Sequence, residues 1–270
     1  MNKTVLWIVI GLVVVGGVVF MVTNNNQSGL KGSLQVVGST SVQPLAEELA
    51  QEYIARNQGI QIAVQGGGSG AGIKAAGDGT ADIGTSSRQL KAEEIGLHET
   101  VIARDGIAIV VNRENPVTNL NFEQLQKIYT GEYTNWKQVG GPDLKIVVVN
   151  REAGSGTRGA FEEIVLNKLP NTNQSLVQAS TGAVQQTVSV TKEAIGYISL
   201  GSLDPAAVKT VTVDGIECNA ETVLAGEYKV QRPFLMLTKE EPTGAAKAFL
   251  DWITGPEGQQ IVAEDFIPVK

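Results

Sequence analysis

Sulfur and imidazole are nearly absent: the 270 residues include one cysteine, Cys218, and one histidine, His98. A single cysteine excludes an intramolecular disulfide, and no Cys/His group exists to hold a structural zinc, so neither a metal nor a cofactor is expected. His98 lies in the charged stretch Glu93–Glu99, which reads as solvated surface, and histidine-dependent catalysis has nothing else to draw on. Positive charge is scarce as well. Lys and Arg number 21 against 28 Asp and Glu, a net charge of −7, and the basic residues never cluster. That distribution argues against a nucleic-acid or anionic-membrane surface, so no nucleic-acid partner is expected. Glycine, in contrast, is plentiful at 31 residues, above the ~7% usual in globular chains.

An uncharged apolar run from Val5 to Val22 opens the chain, and its length just suffices to cross a bilayer core. Two readings stay open, a retained anchor and a cleaved secretory signal peptide. The anchor fits better, because the run exceeds the ~7–15 residues of a usual signal core and no small-x-small cleavage site follows. No cysteine lies near this segment to carry a lipid. Lys3 and the amino terminus favour an inside start and an outside remainder, which places the protein on the extracytoplasmic face of the cell membrane. Residues 1–30 are thus an anchor or signal segment plus a polar linker, and the globular part begins near Lys31.

From there the periodicity alternates between strand and helix. Leu34–Val37 reads as a strand, and Val42, Leu45, Leu49 and Tyr53 recur as the stripe of an amphipathic helix. Pro44 fits only the first turn of that helix, so it starts among Ser39, Thr40 and Ser41. Further strands are expected at Ile60–Val64, Ala81–Gly84, Ile107–Val111, Lys145–Val149 and Ile195–Ile198. Helices are expected after Ile73, over Phe122–Tyr129 and Gly159–Leu169, after Thr181, and near Gly244–Ile253 and Pro256–Val262. The pattern predicts an α/β fold with a mainly parallel sheet in each of two domains. Taking Ile107–Val111 and Arg232–Leu237 as crossover strands, 31–110 plus 232–270 form one lobe and 111–231 the other, with ligand bound between them.

The chemistry sits in a repeated local design in which a strand ends, a Ser/Thr/Gly turn follows and a helix begins. It occurs at Gly38-Ser39-Thr40-Ser41, Gly66–Gly70, Thr85-Ser86-Ser87 and Gly154-Ser155-Gly156-Thr157. A helix start leaves N–H groups unpaired and carries partial positive charge, so it suits an anion. Any one such turn usually reads as an N-cap. A cap needs one hydroxyl, however, and these turns offer several. Arg151, just after the apolar strand, adds a guanidinium able to bind an oxyanion through two bonds, the alternative being a surface pair with Glu152. Other motifs fail. Gly67–Gly72 lacks the Lys-Ser/Thr of a phosphate-binding P-loop, and the GxGxxG at Gly154–Gly159 lacks the acidic residue expected about twenty positions on. A serine hydrolase would need a base that the sequence does not display near Ser69 or Ser155, so no enzyme activity is expected.

At these positions the sequence resembles the phosphate-binding proteins of the phosphate ABC transporter, the PstS type. The segments that carry the resemblance are Val37–Pro44, Gly67–Gly72, Ala81–Arg88, Arg151–Thr157 and Ala194–Ile198, in the family's order. It implies a two-lobed periplasmic-binding-protein fold of the second type, closing over one inorganic phosphate and delivering it, as a monomer, to an ABC transporter permease. Sulfate or molybdate binding and an anchored sensor role are the alternatives, and an extracellular phosphatase is a distant one. Carried over by position, the ligands are Thr40, Ser41 and Ser69 from the first lobe, and Arg151, Ser155, Gly156 and Thr157 from the second. Ser87 stands where some family members have an aspartate that accepts a hydrogen bond from protonated phosphate, which leaves selectivity against sulfate open. Arg88 beside it is either a second cation or part of an outward salt bridge.

Overall fold

The computed structural model describes residues 31–269, so the expected membrane-crossing helix of Val5–Val22 lies outside the described residues. Among those described, no helix is long and apolar enough to cross a membrane, and no group of His, Cys, Asp and Glu is placed to hold a metal ion.

The first lobe begins with β1 (Gly32–Gly38), α1 (Gln43–Arg56), β2 (Ile60–Gly66), α2 (Ser69–Asp78) and β3 (Ile83–Ser86). Both β2 and β3 pair with β1 in parallel, as strands joined by helical crossovers do. The α1 stripe buries Leu45, Ala46, Leu49, Ala50 and Tyr53 against the sheet. The chain then enters β4 (His98–Val111), fourteen residues long. The second lobe follows as β5 (Asn119–Leu120), α3 (Phe122–Thr130), β6 (Val147–Arg151), α4 (Gly156–Ile164), β7 (Leu176–Gln178), α5 (Thr181–Val190), β8 (Ala194–Ser199), β9 (Lys209–Val213) and α6 (Ala220–Leu224). It returns through β10 (Gln231–Thr238) to α7 (Gly244–Thr254) and α8 (Pro256–Asp265) on the first lobe.

Two strands join the halves. From His98 to Gly106, β4 pairs antiparallel with β10; from Ile107 to Val111 it pairs antiparallel with β8, and from Ile109 with β9. The sheets run β2-β1-β3-β10-β4 and β4-β8-β6-β7, sharing β4. Each half has its own apolar core, one from Leu34 through Ala103 with Phe234 to Phe266, the other from Ile107 through Val230 with Ile267. The fold is therefore an α/β, two-lobed binding-protein fold.

Three details differ from the sequence expectation. The sheets are mixed rather than mainly parallel, because the strands that cross between lobes run against their neighbours. Helix α4 covers Gly156–Ile164 rather than Gly159–Leu169. Ser155 caps it three residues earlier than expected, and Asn167 and Lys168 turn left-handed (φ 47° and 65°) just past its end. Strand β4 starts at His98, nine residues before its continuously apolar half.

Glycine sets how closely α2 lies on the sheet. A Cβ at Gly72 would stand 2.6 Å from the carbonyl oxygens of both Thr85 and Val37, backbone that cannot move aside. Gly72→Ala is expected to destabilise the protein by about 1–3 kcal/mol through overpacking. In urea unfolding the midpoint should fall with the slope unchanged; an unshifted midpoint would show that α2 has room to lift.

Candidate functional site

The Ser/Thr turns divide into those that cap helices and those that do not. Val42 is the residue before α1 and makes no side-chain cap; in the turn ahead of it Ser39 Oγ accepts from the Ser41 N–H at 3.2 Å, and the hydroxyls of Thr40 and Ser41 are not spent on capping. Before α2 stands Gly68, with φ 87°, again without a side-chain cap. Ser155 and Ser180 do cap α4 and α5, accepting from the N–H groups of Arg158 (3.2 Å) and Ala183 (3.1 Å). Those caps leave the hydroxyls of Thr157 and Thr181, inside the first turns, free for other partners.

These hydroxyls meet across the boundary between the lobes. Ser41 Oγ lies 2.9 Å from Thr157 Oγ1 and 2.8 Å from Thr181 Oγ1. Thr40 Oγ1 accepts from the Thr181 N–H at 3.3 Å. On the first-lobe side, Ser39 Oγ donates to Ser87 Oγ at 2.8 Å, and Ser69 Oγ accepts from the Ser87 N–H at 3.0 Å. Gly156 sits against this group so closely that a Cβ there would be 2.1 Å from Ser69 Oγ and 2.6 Å from Ser87 Oγ. Another contact between lobes is pure backbone, the Gly70 N–H donating to the Gly154 carbonyl at 3.0 Å. The N-terminal turns of α1, α2, α4 and α5 thus face one another, and their partial positive charges add at one place.

Arg151 enters this place from the end of β6, with 1% of its surface exposed. Its Nη2 donates to Thr40 Oγ1 at 3.1 Å and its Nη1 to Thr181 Oγ1 at 3.3 Å. The opposite edge is held by Glu152, which accepts from Nε at 2.8 Å and from Nη2 at 2.9 Å. Arg151 is paired with Glu152 but is buried rather than at the surface: the pair fixes the guanidinium, and its remaining donors point at the hydroxyls. The backbone beneath is braced. Asn150 Oδ1 accepts from the Arg151 N–H at 2.8 Å and from the hydroxyl of Tyr197, whose ring stacks on Phe161 at 4.3 Å. Burial pushes the Tyr197 hydroxyl above its ordinary value, keeping it a proton donor.

Of the residues singled out by sequence, Thr40, Ser41, Ser69, Ser87, Arg151, Gly156 and Thr157 converge here. Ser155 lies beside them, its hydroxyl engaged in the α4 cap. It also lines a cavity of about 990 Å³ that opens between the lobes and is otherwise walled by residues such as Arg88, Lys91, Arg158 and Lys168. This cavity flanks the hydroxyl cluster and does not contain it. Arg88 is turned to Glu94, donating two bonds of 2.6 and 2.8 Å, so the outward salt bridge is the arrangement adopted. The bridge holds the Glu94 carboxyl below its usual range. His98 is partly exposed and faces Glu241 at 2.9 Å. Sequence reasoning missed Thr181. Its signal was available in Ser180-Thr181-Gly182, a fifth hydroxyl-rich strand-to-helix turn.

Two lobes joined by two strands, with polar groups from both meeting at the junction, define a ligand-binding protein of the hinged type. The comparisons with known proteins agree. The PBP superfamily domain matches residues 23–257. The phosphate-binding protein PstS of Bacillus subtilis is 33% identical over 246 residues, 88% of this chain and 81% of its own. A phosphate ABC transporter substrate-binding protein of Clostridium perfringens, solved with bound phosphate, is 46% identical with a TM-score of 0.86, covering 88% of this chain and all of that one. An ABC-type phosphate transport receptor of Vibrio cholerae is 38% identical with a TM-score of 0.73, covering 87% of this chain and 99% of its own. The chain belongs to the PBP superfamily and, within it, to the PstS family of phosphate-binding proteins.

The contact of Gly156 with Ser69 and Ser87 exists only while the lobes are together. Gly156→Ala is therefore expected to hold them apart, raising the radius of gyration in small-angle scattering while each lobe keeps its helical and strand content by circular dichroism. An unchanged radius of gyration would place Gly156 outside the closing surface.

Proposed function

We propose that the protein is an extracytoplasmic solute-binding protein that captures inorganic phosphate between its lobes and presents it, as a monomer, to an ABC transporter permease. The observation that carries this reading is the single cluster made by Ser41 of the first lobe with Thr157, Thr181 and Arg151 of the second. The division into lobes at 31–110 plus 232–270 and at 111–231 belongs to the same reading; the two chain crossings at β4 and β10 support it, with β4 changing partner at Ile107, a few residues ahead of the first boundary. Tethering through the N-terminal segment belongs to the same reading and restricts capture to the outer face of the cell membrane.

Binding needs no covalent chemistry. Thr40, Ser41, Ser69 and Ser87 form one wall, and Arg151, Ser155, Gly156, Thr157 and Thr181 the other. Rotation about the two crossover strands opens the walls, and an entering oxyanion takes over donors that now bond to one another. Hydrogen bonds to an ionised acceptor are roughly twice as strong as neutral ones, which drives the exchange and draws the lobes shut. One cation shared with Glu152 does not neutralise a divalent anion, so the helix N-termini and hydroxyl dipoles carry the rest. The same cluster lacks a base. Its one carboxylate, Glu152, is bound to Arg151, so hydrolysis of a phosphate ester has no group to activate water.

Calorimetry with phosphate, sulfate and molybdate tests this, with phosphate expected to release heat at one site per chain; no heat with any of the three ends the proposal. Arg151→Ala is expected to weaken phosphate binding by about 3–5 kcal/mol, since a buried anion loses its counter-charge. An unchanged dissociation constant would remove Arg151 from the site. Ser87→Asp is expected to raise the preference for phosphate over sulfate by about tenfold or more, because its carboxylate accepts a hydrogen bond from the phosphate O–H and repels the fully ionised sulfate. The same titrations read the ratio, and an unaltered one would mean that Ser87 does not touch the ligand.

A further inference from the structure

Asp105 and Arg232 form a buried ion pair beside the hinge that the binding mechanism above does not use. They are register partners on β4 and β10, one residue to the first-lobe side of the point where β4 changes sheets. Both side chains are 1% exposed. Arg232 donates from Nε (3.0 Å) and Nη2 (2.8 Å) to Asp105 Oδ2. Such a pair is a weak source of stability, because desolvation offsets most of its Coulomb attraction. Each partner, however, has a further bond. Arg232 Nη1 donates to the carbonyl oxygen of Ser87 at 3.2 Å. Asp105 Oδ1 accepts from Ser199 Oγ at 2.9 Å.

Ser87 belongs to the cradle wall of the first lobe, whereas Ser199 belongs to the second. The backbone of Ser87 is thus gripped on one side by Ser69 and on the other by Arg232, which is itself tied through Asp105 across the hinge. Burial depresses the Arg232 guanidinium below its ordinary value, against the pull of Asp105, and the charge of Arg151 adds to the depression, so the two cations sense each other.

We infer that Asp105 and Arg232 are a positioning pair that couples the Ser87 turn to the hinge and so sets how long the closed, phosphate-bound form lasts. This rests on the reading of the hydroxyl cluster as a phosphate site. The pair touches no phosphate oxygen. It acts through Ser87 on one side and through Ser199 on the other, and its loss should speed opening without slowing encounter.

Two variants of the full-length chain test it by stopped-flow kinetics with inorganic phosphate, alongside ligand-free thermal unfolding. Ser199→Ala cuts the arm to the second lobe and keeps the ion pair. Arg232→Lys keeps the charge but removes the fork that reaches both Asp105 and Ser87. Both are expected to release phosphate at least tenfold faster with association within twofold of the wild type, and Ser199→Ala should unfold near the wild-type temperature. A folded Ser199→Ala protein with an unchanged release rate, or with the loss confined to association, overturns the inference; if Arg232→Lys does not fold, Ser199→Ala decides alone. Failure of the wild-type protein to bind phosphate counts instead against the proposed function.

Discussion

A guanidinium taken almost wholly out of water must have its charge answered, and in this protein the answer is divided between two carboxylate oxygens on one edge and hydroxyls on the other. Glu152 occupies the first edge of Arg151, while Thr40 and Thr181, from opposite lobes, occupy the second. The divided arrangement makes the lobes depend on each other. If they part, Arg151 loses Thr40 and Ser41 loses Thr157 and Thr181 in one motion. Much of the remaining architecture serves that meeting: the Asn150–Tyr197–Phe161 support beneath the arginine, the side-chain-free approach at Gly156, and the caps supplied by Ser155 and Ser180 that release their neighbours' hydroxyls.

The same constraint explains why an acidic protein is suited to hold an anion. Overall charge governs long-range encounter, but the free energy of a buried oxyanion is set by donors within hydrogen-bond distance. Four helix starts and one cation supply those donors. The hinge translates them into a conformational response, because β4 runs through both sheets and the chain returns to the first lobe into β10, with the Asp105–Arg232 pair beside that crossing.

How much of this was legible in the sequence depended on whether a signal was local. The turns at Ser39–Ser41, Ser69, Ser87 and Ser155–Thr157 stood out since they carry more hydroxyls than capping requires, and Arg151 stood out by its place at the end of an apolar strand. Thr181 carried the same kind of signal in Ser180-Thr181-Gly182, but Ser180 beside it suffices for an ordinary cap and masks it. Ser155 shows the converse: its hydroxyl performs the ordinary task. The first half of β4 was missed because exposed positions such as Glu99, Val101 and Arg104 interrupt its apolar pattern. Asp105 and Arg232 are 127 residues apart, and only strand register brings them together; no local pattern encodes that. Arg88 was ambiguous in sequence, and Glu94, six residues on, resolves it.

The central claim is that donors from both lobes share one tetrahedral guest. A crystal structure of the protein grown with phosphate tests it most directly. The account predicts tetrahedral density enclosed between the lobes, within hydrogen-bond distance of Arg151 and of hydroxyls from both Ser41 and Thr157. Density bound to one lobe alone, or confined to the flanking cavity beside Arg88 and Arg158, would contradict it.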